Sequence, residues 1–323
     1  MRSRTICSGI AVAVVASLVL WSGAPSVAAQ TAAPRTPWGD PDLQGTYTNT
    51  YENGTPFERP DEFAGRRLED VTRDELTAIK AATRKRTVAS FSGPIHAPDN
   101  WWQDNLELER GNQAWFVVDP PDGKIPPLTA DAQRRASERA TTRKTNTRGP
   151  ADSFTDRSLY DRCISRGLPG SMMPSIYGNQ YEIVQAPGYV AILYEMIHET
   201  RVIPLDGRPQ VGAAVIQDMG VATGRWDGDT LVVTTRNFTP RSAYRNANAD
   251  TLTLVERFAR VASDKVQWNV TVDDPTTWTR PWTFSMPLTA DNNPLPLYEC
   301  HEGNYGLQNI LSAARAEEQD AGR

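Results

Sequence analysis

Histidine and cysteine are scarce in this chain. Its 323 residues include three histidines and three cysteines, so few side chains are available for zinc ligation or for proton transfer near neutral pH. The chain has no Gly-x-Gly-x-x-Gly after a strand and no phosphate-cradling Gly-Lys-Ser/Thr, which excludes the common nucleotide-binding loops. A net charge of -5 argues against a nucleic acid or an anionic membrane as the partner.

Long hydrophobic runs are also missing, except at the N-terminus. There Arg2 and Arg4 precede an apolar run at 10–20, and small residues follow at 26–29. This is the pattern of a secretory signal, and the run is shorter than the about 20 residues that a spanning helix needs. We therefore expect residues 1–29 to be a signal peptide and the mature protein to be periplasmic or secreted, without a membrane anchor.

Removal of the signal leaves two cysteines, Cys163 and Cys300. An even count in an exported protein predicts one disulfide, and the alternative is two buried thiols. The bridge would close a long loop and stabilise the protein by roughly 4–5 kcal/mol in the chain-entropy model. It would also hold the segment before the central hairpin against the end of the chain.

The run richest in strand formers, residues 177–205, predicts a central hairpin. Pro187 and Gly188 suit the two central positions of its turn. The pairs across the turn are then Gln185 with Val190, Ile183 with Ile192, and Tyr181 with Tyr194. Both faces mix apolar and ionisable residues, as in a barrel wall around a filled or ligand-holding interior. The chain is predicted to be mainly β, an antiparallel β-barrel or sandwich (a lipocalin-like meander) with a few peripheral helices.

Helical signals are few and lie toward the two ends. Thr72 and Glu75 form a capping box that begins a helix reaching about Arg86, and a polar helix is expected over Thr129 to Thr141. An amphipathic helix closes the chain. We expect residues 30–150 to form an extended and helical layer packed on an antiparallel β domain of residues 151–323, the two making one integrated domain.

The candidate catalytic residues come from the hairpin and from the last cysteine motif. On a continuous strand, His198 shares a face with Tyr194 and Tyr181, while Arg201 points to the other face. His301 follows Cys300, so a disulfide would place it near the hairpin. The histidines would act as general base and acid, with a tyrosine helping to move the proton. The alternative for His198 is a histidine at the core edge, bonded to a backbone carbonyl.

Tryptophans supply the candidate binding residues. If Trp278, Arg280 and Trp282 lie on one strand, they share a face. They would form either a structural cation–π ladder or a platform for an acidic sugar or another carboxylate. Trp101 and Trp102 would either stack on a sugar or aromatic ligand or cover a core.

Metal motifs are incomplete. His198-Glu199 and His301-Glu302 begin like His-Glu-x-x-His, but Val202 and Tyr305 stand where the second histidine belongs. Asp227-Gly228-Asp229 lacks the remaining ligands of a calcium loop and predicts a hairpin turn. We expect no metal and no cofactor. Zinc held by two histidines and a carboxylate from separate strands, or calcium, is the alternative.

Four motifs, PWGDPDLQG, MIHETRVIPLDG, GRWDGDTLVV and CHEGNYGL, resemble a largely uncharacterised family of exported bacterial proteins. The resemblance covers most of the mature chain and carries no catalytic residue over. The leading functional hypothesis is an exported lyase or hydrolase acting on a carbohydrate or related polar ring compound, with Arg201 or Arg280 neutralising a substrate carboxylate. The alternative is a non-catalytic periplasmic protein that binds a small molecule.

Overall fold

Ten antiparallel strands form one sheet that nearly closes into a barrel. The computed structural model describes residues 34–91, 111, 113–145, 151–175 and 177–322. The strands are β1 (Gly45–Thr48), β2 (Val117–Asp119), β3 (Gln180–Ala186), β4 (Tyr189–Tyr194), β5 (Thr200–Pro204), β6 (Val221–Asp227), β7 (Thr230–Arg236), β8 (Thr253–Ala262), β9 (Lys265–Asp273) and β10 (Trp282–Ala290). Their order is β5-β4-β3-β1-β10-β9-β8-β7-β6, and β2 also pairs with β10. The predicted mainly β, antiparallel barrel with few helices is confirmed.

The barrel closes by side-chain contact between β5 and β6, the two ends of the sheet among the described strands. Gly224 of β6 makes this approach possible, because a Cβ there would lie 2.7 Å from both Ile203 Cγ2 and Leu205 Cδ2. The absence of a side chain at position 224 therefore lets the two edges meet.

Large side chains fill the barrel interior. Alternate residues of β9, namely Val266, Trp268, Val270 and Val272, are fully buried, as the sequence pattern predicts. Trp268 packs edge-to-face on Phe284 of β10, with ring centroids 5.5 Å apart. Of the two expected interiors, filled or ligand-holding, the structure supports the filled one, because buried aromatic and aliphatic side chains occupy the barrel.

The central hairpin has the predicted register, but its second strand is shorter than predicted. Tyr181 pairs with Tyr194 and Gln185 with Val190, as expected. Positive φ angles of 64° at Ile197 and 58° at His198 then turn the chain through a short 3₁₀ turn. The expected single strand through His198 is wrong, since β5 begins only at Thr200.

Three α-helices lie among the described residues: α1 (Arg73–Phe91), α2 (Ala130–Thr145) and α3 (Tyr305–Asp320). The predicted capping box starts α1, with the Glu75 amide donating to Thr72 Oγ1 at 3.3 Å. The first helix runs past the predicted Arg86, and the second begins and ends later than predicted. None of the described helices combines the length and apolar character that a membrane crossing requires.

Candidate functional site

The predicted catalytic side chains do not converge on one cavity. His198 and His301 are both exposed and lie in separate turns. Tyr181 and Tyr194 are fully buried and pack edge-to-face, with centroids 6.1 Å apart. Burial raises the pKa of both phenols, so they stay protonated inside the core. These tyrosines are core residues, and neither histidine makes a side-chain contact with the described residues that assigns it a role.

Arg201 has an internal partner. It sits opposite Ile192 in the β4–β5 pairing and therefore points inward, against the expectation that it faces away from Tyr194. Its Nη1 and Nη2 donate to the Glu256 carboxylate at 2.6 and 3.2 Å. Trp268 Nε1 donates to the same carboxylate at 3.2 Å. The expected pairing of Arg201 with a substrate carboxylate has no support, because Glu256 already neutralises it inside the barrel.

The expected ladder of Trp278, Arg280 and Trp282 is not formed. Strand β10 starts only at Trp282, so Arg280 lies in a bend before it. The two indoles contact each other edge-to-face at 5.6 Å and are almost fully buried. Arg280 instead pairs with Asp119 at 3.1 Å on the surface. The other two predicted binding residues, Trp101 and Trp102, lie outside the described residues.

The disulfide builds the first wall of a surface cleft. Cys163 and Cys300 are bonded at a sequence separation of 137, and the predicted bridge is confirmed. Next to it, Asn304 Nδ2 donates to the Asp161 carbonyl at 2.8 Å. These two ties fix the irregular segment that leads to Arg166 against the turn that precedes α3.

The segment 241–246, which connects β7 to β8, forms the second wall. Gly167, with φ 65°, lies so close to it that a Cβ would sit 3.2 Å from the Ser242 carbonyl oxygen. Arg245 has a positive φ of 51° within the 3₁₀ turn Tyr244–Asn246. The two irregular segments thus face each other directly across a narrow space.

Between the walls is a cleft of about 520 Å³, which we call the arginine cleft. Three arginines line it, and no acidic residue is among its described lining residues. Three tyrosines and several apolar side chains complete the walls. The charged and aromatic members are Arg166, Arg241, Arg245, Tyr160, Tyr177 and Tyr244.

The three arginines lack acidic partners among the described residues. Arg166 stacks over the Tyr160 ring at 5.4 Å, and its Nη1 is buried without a hydrogen-bond acceptor. Arg245 lies 4.4 Å from the Phe57 ring centroid, and Arg241 is exposed. Arg166 is half-buried and Arg245 is exposed, so it is Arg166 that loses hydration without gaining a counter-charge. The cleft therefore holds positive charge that the described part of the chain does not neutralise.

Two tyrosines of the cleft, Tyr160 and Tyr244, have raised pKa values. Tyr160 and Tyr177 share a hydrogen bond of 3.0 Å between their hydroxyl oxygens. Burial raises the pKa of Tyr160, and the neighbouring Tyr177 hydroxyl raises it further. Burial also raises the pKa of Tyr244. The hydroxyls of Tyr160 and Tyr244 therefore act as neutral hydrogen-bond donors or acceptors and not as tyrosinate bases.

A second cavity of about 410 Å³ is lined by Glu199, which is hydrogen-bonded to Ser165 of the arginine cleft. Ser165 Oγ accepts a hydrogen bond from the Gly167 amide at 2.8 Å and donates one to Glu199 Oε2 at 2.9 Å. Glu199 and Asp218 both line the second cavity. Burial raises the pKa of Glu199 to about 7, with the bond from Ser165 opposing the shift and the charge of Asp218 adding to it.

This shift links the stability of the protein to pH. The ordinary pKa of Glu199 is 4.5, and its native value is about 7. Between these values native Glu199 keeps a proton that the unfolded chain has lost, so stability falls as pH rises from about 4.5 to about 7 and is level above that. Near neutral pH, Glu199 is the described side chain beside the cleft that is best suited to exchange a proton.

No group of three or more histidine, cysteine or acidic side chains with metal-binding geometry occurs in the described part of the chain. No protein-family model, curated protein or solved structure matches this chain. The resemblance of its four motifs to exported bacterial proteins stays a prediction.

The sequence reasoning overlooked the arginines of the cleft. A local signal for them exists, since none of Arg166, Arg241 and Arg245 has an acidic residue within four positions along the chain. Such arginines lack a near partner for a surface ion pair, so they need a distant one or a ligand. This local signal does not predict that the three arginines line one cleft, because Arg166 and Arg241 are far apart in sequence.

Proposed function

We propose that this protein binds a small anionic molecule in the arginine cleft. The observation that carries the proposal is the lining of the cleft, where half-buried Arg166 and two further arginines come together with no acidic residue among the described lining residues. A bound carboxylate or similar anion would accept hydrogen bonds from the guanidinium and neutralise it. Arginine presents paired donors that match a carboxylate in this way.

The dimensions of the cleft agree with a small ligand. Its volume of about 520 Å³ falls within the range of roughly 300–1,000 Å³ that is usual for small-molecule sites. The disulfide that fixes one wall supports an oxidising compartment and is consistent with the proposed export of the chain. The proposal is therefore an exported small-molecule binding protein with preference for anions.

A second candidate is an enzyme, a lyase or hydrolase, that acts on an acidic carbohydrate or related ring compound. One observation favours it: Glu199, which carries a proton near neutral pH, is linked through Ser165 to the wall of the arginine cleft. In this reading Glu199 supplies the proton that we expected from a histidine. Incubation with acidic oligosaccharides, followed by mass spectrometry of products, tests it against a Glu199→Gln variant that should yield none.

Arg166→Met tests the binding proposal. The variant removes a half-buried charge that has no acidic partner among the described residues and keeps much of the side-chain volume, so without ligand its melting temperature should equal or exceed that of the wild type. Anions that stabilise the wild-type protein should lose at least about tenfold in affinity, since a charge-assisted hydrogen bond contributes about 1.5–3 kcal/mol.

The matched control is Arg280→Met, which removes an exposed arginine paired with Asp119 and not among the lining residues of the cleft. It should bind anions as the wild type does. Equal anion binding by the wild type and Arg166→Met, measured by isothermal titration calorimetry, would refute the proposal.

A further inference from the structure

The side chains that line the arginine cleft indicate the chemical nature of the uncharged part of the ligand as well as the sign of its charge. Among the described lining residues there is no aspartate, glutamate, asparagine, glutamine or histidine. The neutral polar side chains are serine and tyrosine hydroxyls. A sugar acid has several hydroxyl donors to satisfy, and the cleft lacks the carboxylate and amide acceptors that would bind them.

Apolar and aromatic side chains line the cleft in place of carboxylate and amide acceptors. Leu159, Leu168 and Met173 line the cleft together with the tyrosines. Tyr177 is about 40% exposed, which leaves part of its ring open to the surroundings. An apolar ligand body would gain free energy by covering this surface, whereas a strongly hydrated inorganic anion would gain nothing from it.

Two guanidinium groups of the cleft lie over aromatic rings. Arg166 lies over the Tyr160 ring at 5.4 Å, and Arg245 lies over Phe57 at 4.4 Å and over Tyr244 at 5.6 Å. Guanidinium N–H groups can pair with a carboxylate while the cation remains over a ring. A carboxylate held in this way would bring an attached ring close to the aromatic side chains of the cleft.

We propose that the ligand of the arginine cleft is a planar aromatic monocarboxylic acid, with its carboxylate on Arg166 and its ring against the tyrosine side of the cleft. This inference rests on the proposed anion site and specifies the chemical class that the site accepts. A sugar acid fits the charge of the cleft but not its lack of acceptors, and phosphate fits the charge but not the apolar walls.

The test is isothermal titration calorimetry of the full mature chain with three probes: naphthoate, D-glucuronate and inorganic phosphate. Naphthoate should bind at least tenfold more tightly than either other probe, and Arg166→Met should weaken naphthoate binding at least tenfold. Tyr177→Ser should weaken naphthoate binding about fivefold and leave any phosphate binding unchanged. Tyr177→Phe is the matched control, because it keeps the ring, and it should bind naphthoate within about threefold of the wild type.

Three results would overturn the inference in distinguishable ways. Tighter binding of glucuronate or phosphate than of naphthoate, still dependent on Arg166, would retain the anion site and refute the aromatic ligand. Binding of none of the three probes, with the chain folded by circular dichroism, would remove both the aromatic ligand and the anion site. Equal effects of Tyr177→Ser and Tyr177→Phe on naphthoate would refute the placement of the ring.

Discussion

Replacement of Arg201 by methionine tests whether this arginine stabilises the barrel or serves a ligand. The side chains of Arg201 and Glu256 are 4% and 0% exposed, and two hydrogen bonds of 2.6 and 3.2 Å join them. In Arg201→Met the buried Glu256 carboxylate keeps, among the described residues, the Trp268 indole as its one side-chain donor. Breaking a buried ion pair from one side costs about 3–5 kcal/mol, because the remaining charge is left uncompensated.

A second variant separates the cost of the orphaned charge from the cost of lost packing. In Arg201→Met combined with Glu256→Gln, the glutamine carbonyl can still accept the hydrogen bond from Trp268, and no buried charge remains. We therefore expect the double variant to be more stable than Arg201→Met alone by about 2 kcal/mol or more. Exposed Arg280→Met should cost no more than about 1 kcal/mol, as is usual for a surface ion pair.

The assay is equilibrium unfolding in guanidinium chloride, followed by circular dichroism, with the slopes compared between variants. Arg201→Met within about 1 kcal/mol of the wild type would refute the buried-pair reasoning. So would a double variant less stable than Arg201→Met. A loss of naphthoate binding with unchanged stability would instead assign Arg201 to a ligand.

Three further predictions concern Glu199, the disulfide and the contact between β5 and β6. The unfolding free energy of the wild type should fall by about 1–2 kcal/mol between about pH 4.5 and pH 7, a value discounted because Glu199 is partly exposed, and Glu199→Gln should not show this fall. Equal pH profiles of unfolding free energy for the two proteins would contradict the raised pKa. Replacement of both Cys163 and Cys300 by serine should cost roughly 4–5 kcal/mol in denaturant unfolding and should weaken naphthoate binding, because the wall with Arg166 loses its anchor; unchanged binding would show that the cleft forms without the bridge. Gly224→Ala should cost about 1–3 kcal/mol by forcing β5 and β6 apart, and a thermal melt identical to that of the wild type would refute the close approach.

The sequence correctly predicts features that depend on a few neighbouring residues or on the alternation of residues along one strand. Pro187 and Gly188 determine the register of the central hairpin, since few residues suit the two central turn positions. The alternation of Val266 and Trp268 with polar neighbours predicts the buried face of β9, because side chains alternate across a strand. The disulfide is expected from the predicted export and from the two cysteines outside the predicted signal peptide.

The local errors have a physical cause as well. The turn at Ile197 and His198 needs positive φ angles, which a β-branched isoleucine strongly disfavours, so no local preference predicts it. Tertiary packing imposes the turn and starts a new strand at Thr200. This change of strand brings Arg201 inward and moves His198 to the surface.

The amino-acid sequence by itself thus determined the strand-rich class, the central hairpin, the inward face of β9 and the disulfide, because each depends on neighbours in the chain or on a simple count. Only the tertiary structure decided which charges meet. Arg201 finds Glu256 across the barrel and is neutralised, whereas Arg166, Arg241 and Arg245 converge from two distant loops and find no acid among the described residues. Contacts between such distant positions are set by how the sheet closes, and the arginine cleft is a consequence of that closure.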